Sequence, residues 1–370
     1  MNAHLEILSI AVVVAIACAL PGTFLVLRKR ALISDAISHA VLPGIVLGFF
    51  MTGNINSPLL MLGAVAAGLF TAWLTELLAK TRLVKEDAAI GLVFPVLFSI
   101  GVLLVSRHAG NIHLDTDAVL LGELAFAPFD RMMIQGTDLG PRSLWSMSAI
   151  LLLNSVVILL LYKELKLSTF DSGLAQAQGF KPHRLHYALM TLVSLTVVGA
   201  FDSVGSILVV ALMVAPPAAA FLLTKRLAPM IFIGALIGAI SAIIGYGVAV
   251  LGDVSIAGSM AGACGFSFLV VLLFAPQRGL VAQQVMRRTQ TLHLGVRMLV
   301  VHLSHHGSGT NQMDENECRK DHLTQHIAWT ASFANKVAES AIKQGFIMPH
   351  HQVLKLTPKG ILVAQEAMTQ

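Results

Sequence analysis

Nine stretches of the chain are long and apolar enough to cross a lipid bilayer as helices. Such a helix needs roughly 17–25 mostly apolar residues, because each residue adds about 1.5 Å and the hydrocarbon core is about 30 Å thick. Only 12% of the residues are charged, against about 25% in soluble globular proteins. The sequence therefore predicts an all-α polytopic membrane protein, with spans near residues 5–27, 31–51, 58–79, 88–106, 145–162, 186–201, 204–223, 228–251 and 255–275.

One apolar stretch decides between nine spans and eight. The residues from His186 to Thr224 form a run that is too long for a single crossing. Asp202 and Ser203 interrupt this run, and we expect two spans to meet there. A single broken helix over the same residues would give eight spans and would place both chain ends on the same side of the membrane.

The distribution of Lys and Arg favours nine spans with the N-terminus outside the cell. In that topology, thirteen Lys and Arg residues up to Arg278 lie in cytoplasmic connections, and three lie outside. Cytoplasmic loops of membrane proteins carry an excess of Lys and Arg. We therefore expect a multi-pass protein of the inner (plasma) membrane with a cytoplasmic C-terminal region.

The composition changes sharply after Pro276. Residues 283–370 contain nine of the 25 Lys and Arg residues and six of the 20 Asp and Glu residues, without a long apolar run. We therefore predict two domains, a transmembrane domain over residues 1–280 and a small cytoplasmic α+β domain over residues 281–370.

The expected elements of this C-terminal domain follow the order of a winged-helix domain. Helical periodicity near 291–305, 315–327 and 331–344 precedes two short β-like segments around a Pro349 turn, and Pro358 begins a last helix. The wing region, with Gln344–Ile347 and Leu356–Gly360, resembles that of bacterial winged-helix regulators, including the iron-dependent repressor group.

Histidine is concentrated in the same domain, which holds eight of the 14 histidines. His322 and His326 are four residues apart and would share one helix face, a spacing that suits a metal ion. Exposed histidines on a soluble domain would give the same pattern. The domain's formal charge of +3, from nine basic and six acidic residues, gives little support for binding to nucleic acid.

Asp35 and His39 form the main candidate metal site, in the second span. An acidic residue in a span is costly and normally faces the bundle interior or a polar pathway. The two residues are four apart on one helix face, and a carboxylate with an imidazole suits a divalent manganese, iron or zinc ion. The spacing fits a structural Asp–His hydrogen bond equally well. Pro43 and Gly44 predict a kink just beyond the pair.

The segment from Asp35 to Gly44 resembles the Asp-Ala-x-Ser-His-Ala-hydrophobic-x-Pro-Gly signature of the membrane subunits of zinc, manganese and iron uptake ABC transporters. The segment from Phe201 to Leu212 is similar to a late-span signature of the same family, and it adds Asp202 as a weaker metal candidate. The likeness covers residues from about 5 to 280. Most family members stop soon after the last span, so the C-terminal domain departs from the common pattern.

Two loops add further residues to the resemblance. Residues 113–123 resemble the outer loop of the manganese/iron branch, which implies that Asp115, Asp117 and Glu123 attract the cation; a solvated acidic loop is the competing interpretation. A later loop is similar to the cytoplasmic segment that docks on the ATPase, and a free surface helix is the alternative there. Its candidate docking residues are Phe170, Asp171, Leu174, Ala175, Gly179 and Phe180.

The resemblance implies a permease subunit that carries manganese, zinc or iron and binds no permanent cofactor. Its expected partners are a separate ATPase subunit, an extracytoplasmic metal-binding protein and a second permease chain. The sequence contains no Gly-Lys dipeptide, which a phosphate-binding P-loop requires, so we expect no ATP hydrolysis by this chain. Two other functions remain open. An ion-gradient-driven metal transporter would also use intramembrane Asp and His, and a membrane-anchored metal-responsive regulator would use a metal-binding tail.

Overall fold

The computed structural model of the protein describes residues 3–54, 57–108, 124–134, 137–276, 278–306, 329–350 and 353–369. The chain divides into two compact units. We call Met1–Gly279 the membrane unit and Leu280–Gln370 the tail unit.

Within the described residues, the membrane unit contains nine helical segments that are long and apolar enough to span a bilayer. The prediction of nine spans is therefore confirmed, and most ends differ from the predicted ones by only a few residues. The nine segments are α1 (Ala3–Leu27), α2 with α3 (Leu32–Ala40 and Leu42–Thr52), α4 (Pro58–Lys80), α5 (Glu86–His108), α6 (Arg142–Leu160), α9 (Pro182–Val204), α10 (Ser206–Leu223), α11 (Leu227–Gly252) and α12 (Ile256–Phe274).

Shorter elements connect these helices. A 3-10 turn (Ala127–Phe129) and an antiparallel hairpin precede α6, and α7 and α8 lie between α6 and α9. The hairpin was not expected from the sequence. It is linked to α1 by Arg131, whose guanidinium lies 3.3 Å from the buried Glu6 carboxylate and 2.6 Å from the Asp138 carboxylate. The bounds of the four elements are β1 (Arg131–Ile134), β2 (Thr137–Pro141), α7 (Tyr162–Phe170) and α8 (Ser172–Ala177).

Helix α1 forms the centre of the membrane unit because it is apolar on every side. A helix of this kind is stable only where other helices surround it. It packs against α6, α9, α10 and α11. Several of its side chains are completely buried in the principal core: Ile10, Val14, Ala17, Cys18 and Phe24.

The boundary between α9 and α10 lies at Gly205, not at Asp202 and Ser203 as predicted. Asp202 and Ser203 remain helical in the last turn of α9. Gly205 has φ +79° and ψ 165°, a backbone conformation that side-chain-bearing residues rarely adopt. The glycine therefore ends the helix, and its position favours two separate spans over one broken helix.

The second span is interrupted at Val41, between α2 and α3. Pro43 has no backbone N–H. It therefore cannot donate the hydrogen bond to the His39 carbonyl that another residue at position 43 would donate in an α-helix. The regular hydrogen bonding therefore skips one residue, Val41, whose backbone keeps helical angles (φ −72°, ψ −24°), and Leu32–Thr52 runs as one membrane-spanning segment. The missing hydrogen bond falls at the carbonyl of His39, a member of the Asp35–His39 pair. The kink at Pro43 and Gly44 stays a prediction.

The backbones of α3 and α4 approach closely at two glycines, Gly44 and Gly63. A Cβ atom added to Gly44 would overlap the Gly63 carbonyl oxygen, and one added to Gly63 would overlap the Gly44 carbonyl oxygen. Only glycine permits backbones to come this close. The contact fixes the position of α3 immediately after the break in the second span.

The tail unit has a small core of its own within its described residues. Helices α13 and α14 pack together, a β3–β4 hairpin pairs Ile347 with Leu356 and His350 with Val353, and α15 closes the chain. Core side chains from all of these elements are buried, among them Leu299, Val337, Ile347, Leu354 and Ala364. The elements are α13 (Leu280–His306), α14 (Ala331–Lys343), β3 (Ile347–His350), β4 (Val353–Leu356) and α15 (Pro358–Thr369).

The first tail helix begins at Leu280, whereas the sequence predicted a start near Thr291. The prediction relied on apolar periodicity, and most side chains in the first turns of α13 are exposed. Residues such as Ala282, Gln283 and Met286 favour helix without a buried face. The predicted helix over 315–327, with His322 and His326, lies outside the described residues.

Replacing Gly44 by Ala should destabilise the membrane unit by about 1–3 kcal/mol, because the methyl group overpacks the α3–α4 contact. Thermal unfolding of the purified protein in detergent would measure the change. The matched control is Gly262→Ala in α12, where an added Cβ meets nothing within 4 Å. Equal melting temperatures for the two variants would contradict the proposed role of the contact.

Candidate functional site

Asp35 and His39 lie together on one face of α2, and both are half-buried. His39 Nε2 lies 3.5 Å from Asp35 Oδ1, and the side chains are 30% and 43% exposed. The neighbouring residues of α2 are buried, including Ile33, Ala36 and Ile37. The structure thus brings the two predicted ligands together and leaves both accessible. Their contact lies within one helix, so it does not join two helices.

Two aromatic residues of α5 hold the His39 imidazole. The Phe94 ring lies 5.7 Å from the imidazole centroid in a tilted arrangement, and the Phe98 ring lies 6.4 Å away, edge to face. Aromatic pairs at such distances restrict each other's orientation. The packing therefore positions the imidazole, whose side chain stays 30% exposed.

The serines of the same helix are not available as ligands. The Ser34 hydroxyl donates to the Ala31 carbonyl at 2.7 Å, and the Ser38 hydroxyl donates to the Ser34 carbonyl at 2.9 Å. Both side chains are buried. The accessible donor atoms of this stretch are therefore the carboxylate and the imidazole.

The described residues contain no group of three or more His, Cys, Asp and Glu side chains that could hold a metal ion. Asp202, the weaker candidate in this part of the chain, is exposed in the last turn of α9 and does not complete such a group with the pair. Asp115, Asp117, Glu123, His322 and His326 lie outside the described residues. A divalent cation at Asp35 and His39 would need further ligands from elsewhere.

The candidate docking segment consists of α8 and the residues around it. Asp171 caps the helix, because its Oδ1 accepts a hydrogen bond from the Leu174 N–H at 2.9 Å. Phe170 and Leu174 are exposed, at 60% and 47%. Ala175 is fully buried and packs the helix onto the protein, so it is not on the surface that a partner would contact.

The remaining two docking candidates shape the end of this segment. Gly179 adopts φ +85°, and Phe180 is half-buried, with its N–H donating to the Ala175 carbonyl at 3.0 Å. Phe170 and Leu174 thus form the exposed apolar part of the segment.

A polar cluster lies at the junction between α1 and α2. The sequence did not predict it. The Arg28 guanidinium contacts Ser168, Thr169 and His186, residues that are far away in the sequence. Burial, together with the neighbouring Arg30 charge, lowers the pKa of Arg28 to about 10, so Arg28 stays positively charged at neutral pH. The sequence marked Arg28 only as a topology signal, and no local pattern points to its partners.

The sequence model of the ABC 3 transport family matches residues 2–275, nearly the whole membrane unit. The chain belongs to this family. The likeness inferred from the sequence motifs is therefore confirmed for the membrane unit, which is a multi-pass membrane protein. The winged-helix likeness of the tail unit stays a prediction.

Two relatives match different lengths of this chain. The zinc transport system membrane protein TroD of Treponema pallidum is 48% identical over 361 residues, which cover 98% of each chain. The manganese transport system membrane protein MntD of Bacillus subtilis is 46% identical over 285 residues, covering 77% of this chain and 96% of MntD. TroD therefore matches the tail unit as well, whereas too little of MntD is left over for a counterpart of it.

A solved structure shares the fold of the membrane unit. PsaBC from Streptococcus pneumoniae, in complex with Fab, superimposes with a TM-score of 0.62 at 29% identity. The match covers 75% of this chain and 94% of that one.

Proposed function

We propose that this family member is the permease subunit of an ATP-binding-cassette importer for manganese, zinc or iron. The observation that carries the proposal is the accessible Asp35–His39 pair within a membrane span. A carboxylate in hydrocarbon is costly and is retained where it lines a polar or ion pathway. The names of TroD and MntD, which refer to zinc and manganese transport, agree with the chemistry of these ligands.

The pair suits transient binding. Oxygen and nitrogen donors bind manganese, iron and zinc, and the absence of a thiolate disfavours copper(I). An ion that must leave again is held by few ligands, because a complete shell would retain it. Two side chains on one helix therefore fit a passing ion better than a resident one, and no permanent cofactor is part of the proposal.

A second permease chain would complete the pathway. In the isolated chain Asp35 is 43% exposed at its side chain, a state that lipid would make unfavourable. Phe98, which touches His39, is also 40% exposed, so an apolar surface continues from the pair. A homodimer or a paired paralogue would cover both residues and supply further ligands.

The energy would come from a separate ATPase subunit, and the ion from an extracytoplasmic binding protein. The Lys and Arg distribution supports an outer N-terminus and a cytoplasmic tail unit. Helix α8 then lies on the cytoplasmic side, where exposed Phe170 and Leu174 would enter a groove of the ATPase. Asp115, Asp117 and Glu123 would attract the cation at the outer mouth.

The tail unit is proposed as a winged-helix-like metal sensor, with His322 and His326 as ligands. It would bias transport only if metal binds one arrangement of the transporter better than another. A packing or assembly role without metal is the alternative, and a nucleic-acid partner is not part of the proposal.

Asp35→Asn and His39→Ala should each reduce ion uptake to background while the protein stays folded, because the helix face survives and only ligands are lost. Uptake of labelled manganese, zinc and iron by proteoliposomes containing the whole transporter would measure this. Asp253→Asn, at an exposed acid after α11, is the control and should transport normally. Wild-type uptake of all three ions by both variants would refute the site.

A cysteine at position 174 should crosslink to the ATPase, and a cysteine at position 175 should not. The two positions are adjacent, but Leu174 is exposed and Ala175 is buried. Crosslinking in the assembled complex, followed by electrophoresis, tests the difference. Crosslinks found only in the loop from Lys80 to Asp87 would move the docking site there.

Removal of residues 280–370 should abolish any decline in uptake that follows cytoplasmic metal accumulation, if the tail unit is a sensor. Initial uptake rates of vesicles preloaded with manganese, zinc or iron would be compared with those of empty vesicles. Unchanged rates and an unchanged dependence on internal metal would disprove sensing and favour a packing role.

A further inference from the structure

Arg28 joins the end of α1 to the segment that precedes α8. Its Nε donates to the Thr169 hydroxyl at 3.2 Å, and one terminal nitrogen donates to the Ser168 hydroxyl at 3.1 Å. The other terminal nitrogen lies 3.4 Å from His186 Nδ1. A single guanidinium thus contacts α7 and α9 simultaneously. Since Ser168 and Thr169 lie just before the capping residue of α8, a displacement of α8 would reach Arg28.

Arg30 makes the matching connection to α2. Its terminal nitrogen lies 3.1 Å from His186 Nε2, and its Nε lies 2.6 Å from the Glu86 carboxylate at the start of α5. The Arg30 carbonyl accepts a hydrogen bond from the Ile33 N–H at 3.1 Å, so Arg30 is part of the first turn before α2. Asp35 follows five residues later in the chain.

His186 lies between the two arginines and can accept a hydrogen bond from only one of them at a time. A neutral imidazole has one acceptor nitrogen and one N–H donor. When Nδ1 accepts from Arg28, Nε2 carries the hydrogen and cannot accept from the Arg30 nitrogen 3.1 Å away. The Glu76 carboxylate, which accepts from the Tyr187 hydroxyl at 2.8 Å, lies 3.7 Å from Nε2. When Nε2 accepts from Arg30, the bond to Arg28 is lost. The imidazole therefore has two alternative partners.

We propose that Arg28, His186 and Arg30 form a coupling link that transmits movement of the ATPase-docking helix α8 to α2 and its Asp35–His39 pair. The proposal rests on the function proposed above. Exchange of the His186 acceptor between the two arginines gives the link two arrangements: His186 is bonded to Arg28, which also contacts α7, or to Arg30, which precedes α2. These three residues are positioning residues, because none of them needs to touch the ion.

The chemistry of the link favours transmission of small displacements. A planar guanidinium makes several directed hydrogen bonds, which a lysine ammonium does not reproduce. The His186 side chain is 12% exposed and the Glu76 side chain 15%, so water competes little for these contacts. A two-state element of this kind couples distant sites only when its two arrangements differ at both of them. Here His186 is bonded in one arrangement to the arginine that contacts α7 and in the other to the arginine that precedes α2.

The test compares uptake with ATP hydrolysis in the reconstituted complex of permease, ATPase and binding protein, with Mn²⁺ as the probe. Arg28→Lys keeps the positive charge but removes the planar guanidinium with its several N–H donors, and His186→Phe removes both ring nitrogens. Each should lower the number of ions taken up per ATP hydrolysed by about fivefold or more, the lower end of typical coupling effects, while hydrolysis continues. Thr169→Val should have a weaker effect in the same direction, and Thr169→Ser should restore coupling.

Lys29→Arg is the matched control, since Lys29 lies between the two arginines and is exposed; it should leave the ratio unchanged. An unchanged ratio in Arg28→Lys and His186→Phe overturns the link. A parallel fall of uptake and hydrolysis, which a purely structural role would produce, overturns it as well. If His186→Phe does not fold, Arg28→Lys and the Thr169 pair decide the question.

The wild-type complex distinguishes this inference from the function on which it rests. Failure of the wild-type complex to take up Mn²⁺, Zn²⁺ or Fe²⁺ with ATP would refute the proposed function. Normal wild-type coupling with equally coupled variants would refute only the link.

Discussion

Hydrocarbon contains no water that could bond to the backbone, so each membrane-spanning stretch of this chain must satisfy its own peptide groups as a helix. Under this constraint an interrupted helix is significant, because its free backbone groups must meet protein or a polar path. Among the described residues, the regular helix hydrogen bonding is broken at Val41 within the second span, and Gly205 separates α9 from α10. The first has a chemical cause in Pro43, and it follows directly after the only span segment that carries an accessible acid–imidazole pair among the described residues.

The exposed pair also explains why one chain is an incomplete transporter in the proposed function. Burial of most other side chains of α2 anchors the helix, and aromatic contacts from α5 orient His39. What remains is a carboxylate and an imidazole on a surface that lipid cannot cover at low cost. Association with a second permease chain would cover this surface and add ligands. Assembly and ion binding would then depend on the same contact.

The polar cluster around Arg28 has a different character from the metal pair. Its members come from α1, α4, α5, α7 and α9 or the loops that adjoin them, and they are mostly half-buried. Such a cluster adds directed polar contacts between helices, several of which also pack against one another. In the proposed mechanism, docking energy enters at α8 and reaches α2 through these hydrogen bonds rather than through the core around α1.

The sequence by itself determined the nine spans, the missing helix hydrogen bond at Pro43 and the Asp35–His39 spacing, because hydrophobic length, a missing N–H and helical periodicity are local properties. Its break at Asp202 was wrong because the acid stayed helical and Gly205, with its positive φ, ended the helix. Only the tertiary structure decided that Leu174 is exposed beside a buried Ala175, and that Arg28 meets His186 across the bundle. These contacts depend on how separate helices pack, and no periodicity within one helix encodes the partners that it meets.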